Sequence, residues 1–265
     1  MRSVWLDGRP ADAGDLRALA LVNFGHFTSM QVRGHRVQGF DLHLQRLRDA
    51  TRELFGSELD DTGIRGAIGA ALSGAGVADA GVRVTAFARG FDLDACAEDF
   101  MPELLVSIAP PAPPPRRALR VEARVCARDL PHIKHVGTFS LFLQRRLARQ
   151  AGFDDALLVE GDGRVSEGSI WNIGFWDGRG VVWPLAPALR GTGERLLQAG
   201  LEALGIAQST RPIVLAEIGT FEAAFAVNSR GVQAIAAIDD VGFRGGRESL
   251  RLLRDALARQ PWQAI

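Results

Sequence analysis

Five prolines crowd the seven residues Ala109–Pro115, and no other stretch limits the folding of this chain so strictly. Proline holds φ at about −65° and lacks the N–H that a helix interior or central strand must donate. The heptapeptide therefore reads as a stiff, extended connector. It divides the chain into residues 1–110, a linker at 111–116 and residues 117–265.

Each side carries its own mixture of strand and helix signals. Val4-Trp5-Leu6 before Asp7-Gly8 reads as a strand and turn. A second strand is expected over Phe27 to Val32, with Gly34 turning the chain into Arg36-Val37. From Asp41, the expected N-cap, the residues Leu42, Leu44, Leu47, Leu54 and Phe55 recur near helical spacing up to Gly56. A further helix is expected from about Asp61 to Leu72, then strands at 82–87 and 104–108. Beyond the linker the pattern predicts a strand over Leu119 to Val125, a helix near 140–149 and strands at 156–159, 170–176 and 180–183. A helix follows from Gly191 to about Leu204, then strands at 223–227 and 232–238 and a last helix near 247–259. Strands and helices come in mixed runs, not in strict βαβ alternation. The expected class is α+β, in two domains.

The chain is long enough for a sizeable core, and its 47% hydrophobic content is ordinary for a water-soluble globular protein. A formal net charge of zero gives no basis for a nucleic-acid partner. Cys96 and Cys126 form neither a metal-ligand spacing nor a disulfide framework, which fits a reduced compartment. No apolar run approaches the roughly 20 residues needed to cross a bilayer, and the first thirty residues do not resemble a signal peptide. A cytoplasmic location is expected, with no metal and no membrane partner.

Against this background one residue stands apart. Lys134, in Leu130-Pro131-His132-Ile133-Lys134-His135-Val136-Gly137, is the only lysine beside 30 arginines. Compositional drift explains the scarcity, since tyrosine is absent too. Where a positive charge suffices, arginine has replaced lysine. A surviving lysine is then a candidate for chemistry that arginine cannot do, because an amine can lose its proton and act as nucleophile or base.

Other candidates are weaker taken singly. Glu167, in Val165-Ser166-Glu167-Gly168-Ser169, reads by itself as a solvated carboxylate at a strand end. Gly191-Thr192-Gly193 is either a plain helix start or a set of backbone N–H groups aimed at an anion. Asn228-Ser229-Arg230-Gly231 is either a hairpin turn or a second anion nest. Arg46, in His43-Leu44-Gln45-Arg46-Leu47, is by default a surface helix arginine. Together, an isolated lysine, a carboxylate, two anion cradles and an arginine suit pyridoxal 5′-phosphate.

The order of these motifs resembles the class IV aminotransferases, the fold-type-IV pyridoxal-phosphate enzymes. That family includes branched-chain and D-amino-acid aminotransferases and aminodeoxychorismate lyases. His43 to Leu47 matches its H-x-x-R-L helix, Lys134 its Schiff-base lysine, and Glu167-Gly168 with Asn172 its E-G-x-x-x-N segment. Short segments such as Phe27-Thr28-Ser29 and Ile133-Lys134-His135 lie nearest the lyase branch. The resemblance implies a D-amino-acid aminotransferase-like fold, with a smaller N-terminal α/β sandwich and a larger C-terminal domain, and generally a homodimer. It implies that Lys134 forms the Schiff base and shuttles the proton between Cα and C4′, its pKa lowered by burial or by His132, His135 or Arg128. It implies that Glu167 pairs with the pyridine nitrogen, while Arg46, Gly191, Thr192, Gly193, Asn228 and Ser229 hold the phosphate. Phe27, Arg89 and Arg128 are the expected substrate contacts, the arginines reading a carboxylate. Glu194 departs from the pattern, because the family often has arginine there, and Phe139 stands where branched-chain aminotransferases place a tyrosine. The expected reaction moves an amino group between a small amino acid or amine and a 2-oxo acid. The alternatives are a 4-amino-4-deoxychorismate lyase and a cofactor-binding scaffold without turnover.

Overall fold

A computed structural model of the protein describes residues 3–243 and 245–265. The chain divides into two compact units. The first is the chain up to Ala112 together with Ile133–Gly137 and Pro261–Ile265, and the second is Pro113–His132 together with Thr138–Gln260.

The first unit holds β1 (Ser3–Leu6), β2 (Arg9–Pro10), α1 (Ala13–Leu21), β3 (His26–Arg33), β4 (Arg36–Gln38), α2 (Phe40–Phe55), α3 (Asp61–Ala75), β5 (Ala80–Phe87) and β6 (Glu103–Ala109). A strand from the far end of the chain, Trp262–Ala264, pairs with β4 and closes one edge. The antiparallel sheet takes the order terminal strand, β4, β3, β5, β6, β1, β2. Alternation in β3 and β5 turns Met30, Val32, Val82 and Val84 onto one face. There they pack with Phe40, Leu44 and Leu47 of α2 and Ile64, Ile68 and Leu72 of α3. Each such side chain contributes about 1.5–3 kcal/mol by leaving water. Helix α2 starts earlier than the expected Asp41 cap. Gly39, at φ 61°, is the N-cap, because the turn out of β4 needs a left-handed residue. Asp41 instead places its charge in the first turn, where the helix dipole favours it. Helix α1 lacks a clear apolar period, and only the Asp12–Asp15 capping box marks its start.

The second unit holds β7 (Leu119–Val125), α4 (Phe139–Gln150), β8 (Asp155–Val159), β9 (Val165–Gly168), β10 (Asn172–Trp176), β11 (Val181–Pro184), α5 (Thr192–Ala203), β12 (Gln208–Arg211), a 3-10 turn (Leu215–Thr220), β13 (Ala223–Asn228), β14 (Gly231–Ile238), β15 (Val241–Gly242) and α6 (Arg247–Ala258). The terminal strand of the first unit is therefore β16. The mixed sheet runs β12-β11-β10-β13-β14-β7-β8-β9, with β15 on β14. Both faces are covered. Ala224 and Ala226 of β13 meet Phe175, Phe221 and Ile235. Phe225 and Val227, on the opposite side, meet Leu197 and Leu201 of α5 and Leu253 of α6. Among the described residues, no helix is long and apolar enough to cross a membrane.

Candidate active site

Lys134 lies in a segment without helix or strand of its own, fastened by backbone bonds. The Phe27 N–H donates to the Lys134 carbonyl at 2.8 Å, and the Val136 N–H donates to the Gly25 carbonyl at 2.9 Å. His26 and His135 pair as an isolated antiparallel bridge between them. These bonds bring the lysine beside Phe27, whose ring centroid is 5.0 Å from Nζ. The same ring carries the Arg83 guanidinium at 3.6 Å. Arg83 comes from β5, whose register sets it across from Ser29, on the same face as Phe27. Its Nε donates to Thr85 Oγ1 at 3.2 Å, and burial pushes its pKa down. Arg83 was not among the expected residues. The signal was available: a lone charge between Val82 and Val84 in an alternating strand.

Behind this face, Thr28 Oγ1 and His43 Nδ1 lie 2.6 Å apart and buried. The His43 pKa falls to about 3, first through burial, then through the charges of Arg46 and Lys134. The first unit thus gathers Lys134, Phe27, Arg83, Thr28, His43 and Arg46. Arg46 sits one turn beyond His43 on α2, half-buried and not fully on the surface. Arg89 is drawn elsewhere, into an ion network with Glu103 and with Asp15 at 3.1 Å. Asp15 is held at about pKa 2, chiefly by its bonds from Arg9.

In the second unit, Glu167 is buried within β9, which overturns the reading of it as a solvated strand end. Sheet pairing with β8 and the turn fastened to Asp155 account for this. Asp155 accepts from Ser169 Oγ at 2.6 Å and from Trp171 Nε1 at 3.1 Å, locking the residues that follow Glu167. Glu167 Oε1 accepts the Leu189 N–H at 3.2 Å. Arg128, also buried, brings Nη1 to 3.7 Å from the same oxygen. Burial lowers the Arg128 pKa, and the charge of Glu167 opposes that shift.

Gly191 caps α5 in extended geometry, with no side-chain cap. The first-turn N–H groups therefore keep their capacity to bind an anion. Close packing demands both glycines. A Cβ at Gly191 would lie 2.1 Å from Asn172 Oδ1, and one at Gly193 would lie 2.6 Å from the Asn228 carbonyl. Asn228-Ser229-Arg230-Gly231 is a hairpin turn between β13 and β14, with Asn228 Oδ1 accepting the Arg230 N–H at 2.9 Å. The unit thus brings Gly191, Thr192 and Gly193 against Asn228, with Ser229 next in the turn. A phosphate fits that donor set, and Glu167 fits a protonated ring nitrogen.

The family model described as amino-transferase class IV matches residues 25–238. Curated proteins give no match. Among solved structures, the branched-chain aminotransferase of the archaeon Thermoproteus uzoniensis, solved with norvaline, is similar at TM-score 0.85 and 19% identity, covering 96% of this chain and 93% of that one. The branched-chain amino acid aminotransferase of T.th., solved with pyridoxamine 5′-phosphate, has TM-score 0.83 and 18% identity, covering 96% and 92%. A Legionella pneumophila protein provisionally assigned as a 4-amino-4-deoxychorismate lyase has TM-score 0.79 and 18% identity, covering 91% and 92%. At these identities the likeness is one of fold.

Proposed function

Because the chain belongs to the class IV aminotransferase family, we propose that it binds pyridoxal 5′-phosphate through Lys134 and moves an amino group between a small amino acid or amine and a 2-oxo acid. The observation that carries this reading is the chain's only lysine, set beside Phe27 on a backbone ladder inside the family-matched region. When bound, the cofactor supplies an electron sink for charge that develops at the substrate Cα.

The chain's own residues do the rest. Lys134 would hold the cofactor through its amine and, once displaced by the substrate amine, that amine would take the proton from the substrate Cα. Glu167 would sit against the ring nitrogen, where its negative charge favours the protonated form. Arg46 is proposed to hold the phosphate, as are the backbone at Thr192 and Gly193 and Asn228 with Ser229, whereas the Gly191 N–H is taken by the Glu194 carboxylate. Phe27 and Arg128 are the proposed substrate contacts, while Arg89, expected as a third, has its guanidinium taken by Glu103 and Asp15. A homodimer is part of the proposal. Phe139, 77% exposed, and Phe142, 51% exposed, lie one turn apart on α4 with Leu143, and such apolar patches mark association surfaces.

Borohydride reduction of the cofactor-loaded protein followed by peptide mapping tests the attachment. The expected adduct is on Lys134, and an adduct confined to the N-terminus rejects the reading. Adding an amino donor then separates the reactions. A transaminase converts the chromophore to its pyridoxamine form and needs a 2-oxo acid to recover. Release of pyruvate from 4-amino-4-deoxychorismate without an acceptor would assign a lyase in its place.

A further inference from the structure

Glu194 occupies the place where the family pattern often has arginine, and it is 1% exposed. Its Oε1 accepts from Arg190 Nη1, one turn back, at 3.0 Å. The other nitrogen of that guanidinium, Nη2, donates to the carbonyls of Pro184 at 3.3 Å and Ala186 at 3.2 Å. Arg190 thus ties the start of α5 to the end of β11 and spans the loop between them. Leu189 belongs to that loop and is gripped twice more. Its carbonyl accepts Asn172 Nδ2 at 2.6 Å, and its N–H donates to Glu167 Oε1 at 3.2 Å. A continuous path of hydrogen bonds and one peptide link therefore runs from Glu194 through Arg190 and Leu189 to Glu167, all within the second unit.

We propose that Glu194 is a positioning residue for Glu167, acting through Arg190 and the Leu189 N–H. The proposal deepens, and rests on, the reading of Glu167 as the partner of the ring nitrogen. The physical case is one of charge and anchorage. Burial pushes the Glu194 pKa up, and the Arg190 guanidinium, the Gly191 N–H and the helix dipole at the start of α5 oppose that shift, so the bond to Arg190 is charge-assisted and matters to both partners. That bond holds an arginine whose side chain is otherwise 42% exposed. An arginine at 194 would repel Arg190 and release the loop. A glutamate there keeps the guanidinium over the Pro184 and Ala186 carbonyls, so that Leu189 presents its N–H to Glu167. The departure from the family pattern is thereby given a use.

Two variants test it: Glu194→Gln, isosteric but uncharged, and Arg190→Gln, which removes the same bond from the more exposed side. In the cofactor-free protein, hydrogen exchange at the Leu189 amide should quicken about tenfold or more in both, while amides of β10 and β13 keep their rates. Unchanged exchange at Leu189 overturns the proposal. In the protein loaded with pyridoxal 5′-phosphate, the midpoint of the pH-dependent absorption change should move by about half a pH unit or more toward that of Glu167→Gln. Faster exchange with an unmoved midpoint overturns the positioning role and leaves the proposed function standing. If Glu167→Gln has the wild-type midpoint, the underlying reading of Glu167 fails, and the proposal falls with it.

Discussion

Arg128 was expected to read a substrate carboxylate, and its burial 3.7 Å from Glu167 adds a second demand on the same charge. The two uses have different signatures. If Arg128 orients substrate, Arg128→Gln should lower kcat/KM more for carboxylated substrates than for simple amines, because a bidentate pair is lost. If it chiefly compensates Glu167, losses should be equal, and the cofactor absorption should titrate at higher pH, since removing a cation from beside a buried carboxylate raises its pKa. Wild-type kinetics and spectrum in Arg128→Gln would remove it from both roles. Lys134 was legible in the sequence because it is alone. Glu167 was not legible as a buried group, because its surroundings come from Leu189 and Arg128, which are remote in sequence.

At the scale of elements, the start of α5 is the most demanding junction. Gly193→Ala would set a Cβ 2.6 Å from the Asn228 carbonyl and 3.1 Å from its Cα. Backbone cannot swing aside, so α5 must shift from the β13–β14 turn. Overpacking of this kind costs about 1–3 kcal/mol. A drop of that size in denaturant stability is expected, together with weaker binding of pyridoxal phosphate but undiminished reduction of free aldehyde onto Lys134. An unaltered affinity for the phosphorylated cofactor would dissociate this turn from phosphate binding. The helix itself was readable from its period and its Gly191 start. The packing against Asn228 was not, because Gly193 and Asn228 lie 35 positions apart in the chain.

For the molecule as a whole, stability should depend on two buried histidines. Burial lowers the His26 pKa to about 4 and the His43 pKa to about 3, the latter aided by Arg46 and Lys134. Both values lie below the ordinary histidine value of about 6.5. The unfolded chain therefore binds more protons, so stability is intact above about pH 6.5 and is lost as pH falls toward the folded values. At pH 5 the loss is about 2 kcal/mol for each histidine. Thermal melting between pH 7.5 and 5 should show this slope, and His43→Asn should flatten it. A slope identical to that of the wild type would deny His43 the role. Association is testable separately. Phe142→Glu should convert a homodimer to monomer in analytical ultracentrifugation, and a monomeric wild-type protein would refute the proposed dimer.

The residue sequence by itself determined the α+β class, the stiff stretch at Ala109–Pro115 and the single lysine side chain as the candidate nucleophile. These follow from local facts: side-chain period, the missing proline N–H and amine chemistry. Only the tertiary structure decided that Ile133–Gly137, which follows the break, joins the first unit, through bonds between Lys134 and Phe27 and between Val136 and Gly25. It also decided that Arg83 shares the Phe27 ring and that Glu194 reaches Glu167 through Arg190 and Leu189. Such contacts depend on strand register and loop path, which arise from interactions across long separations and leave no periodic trace in the chain.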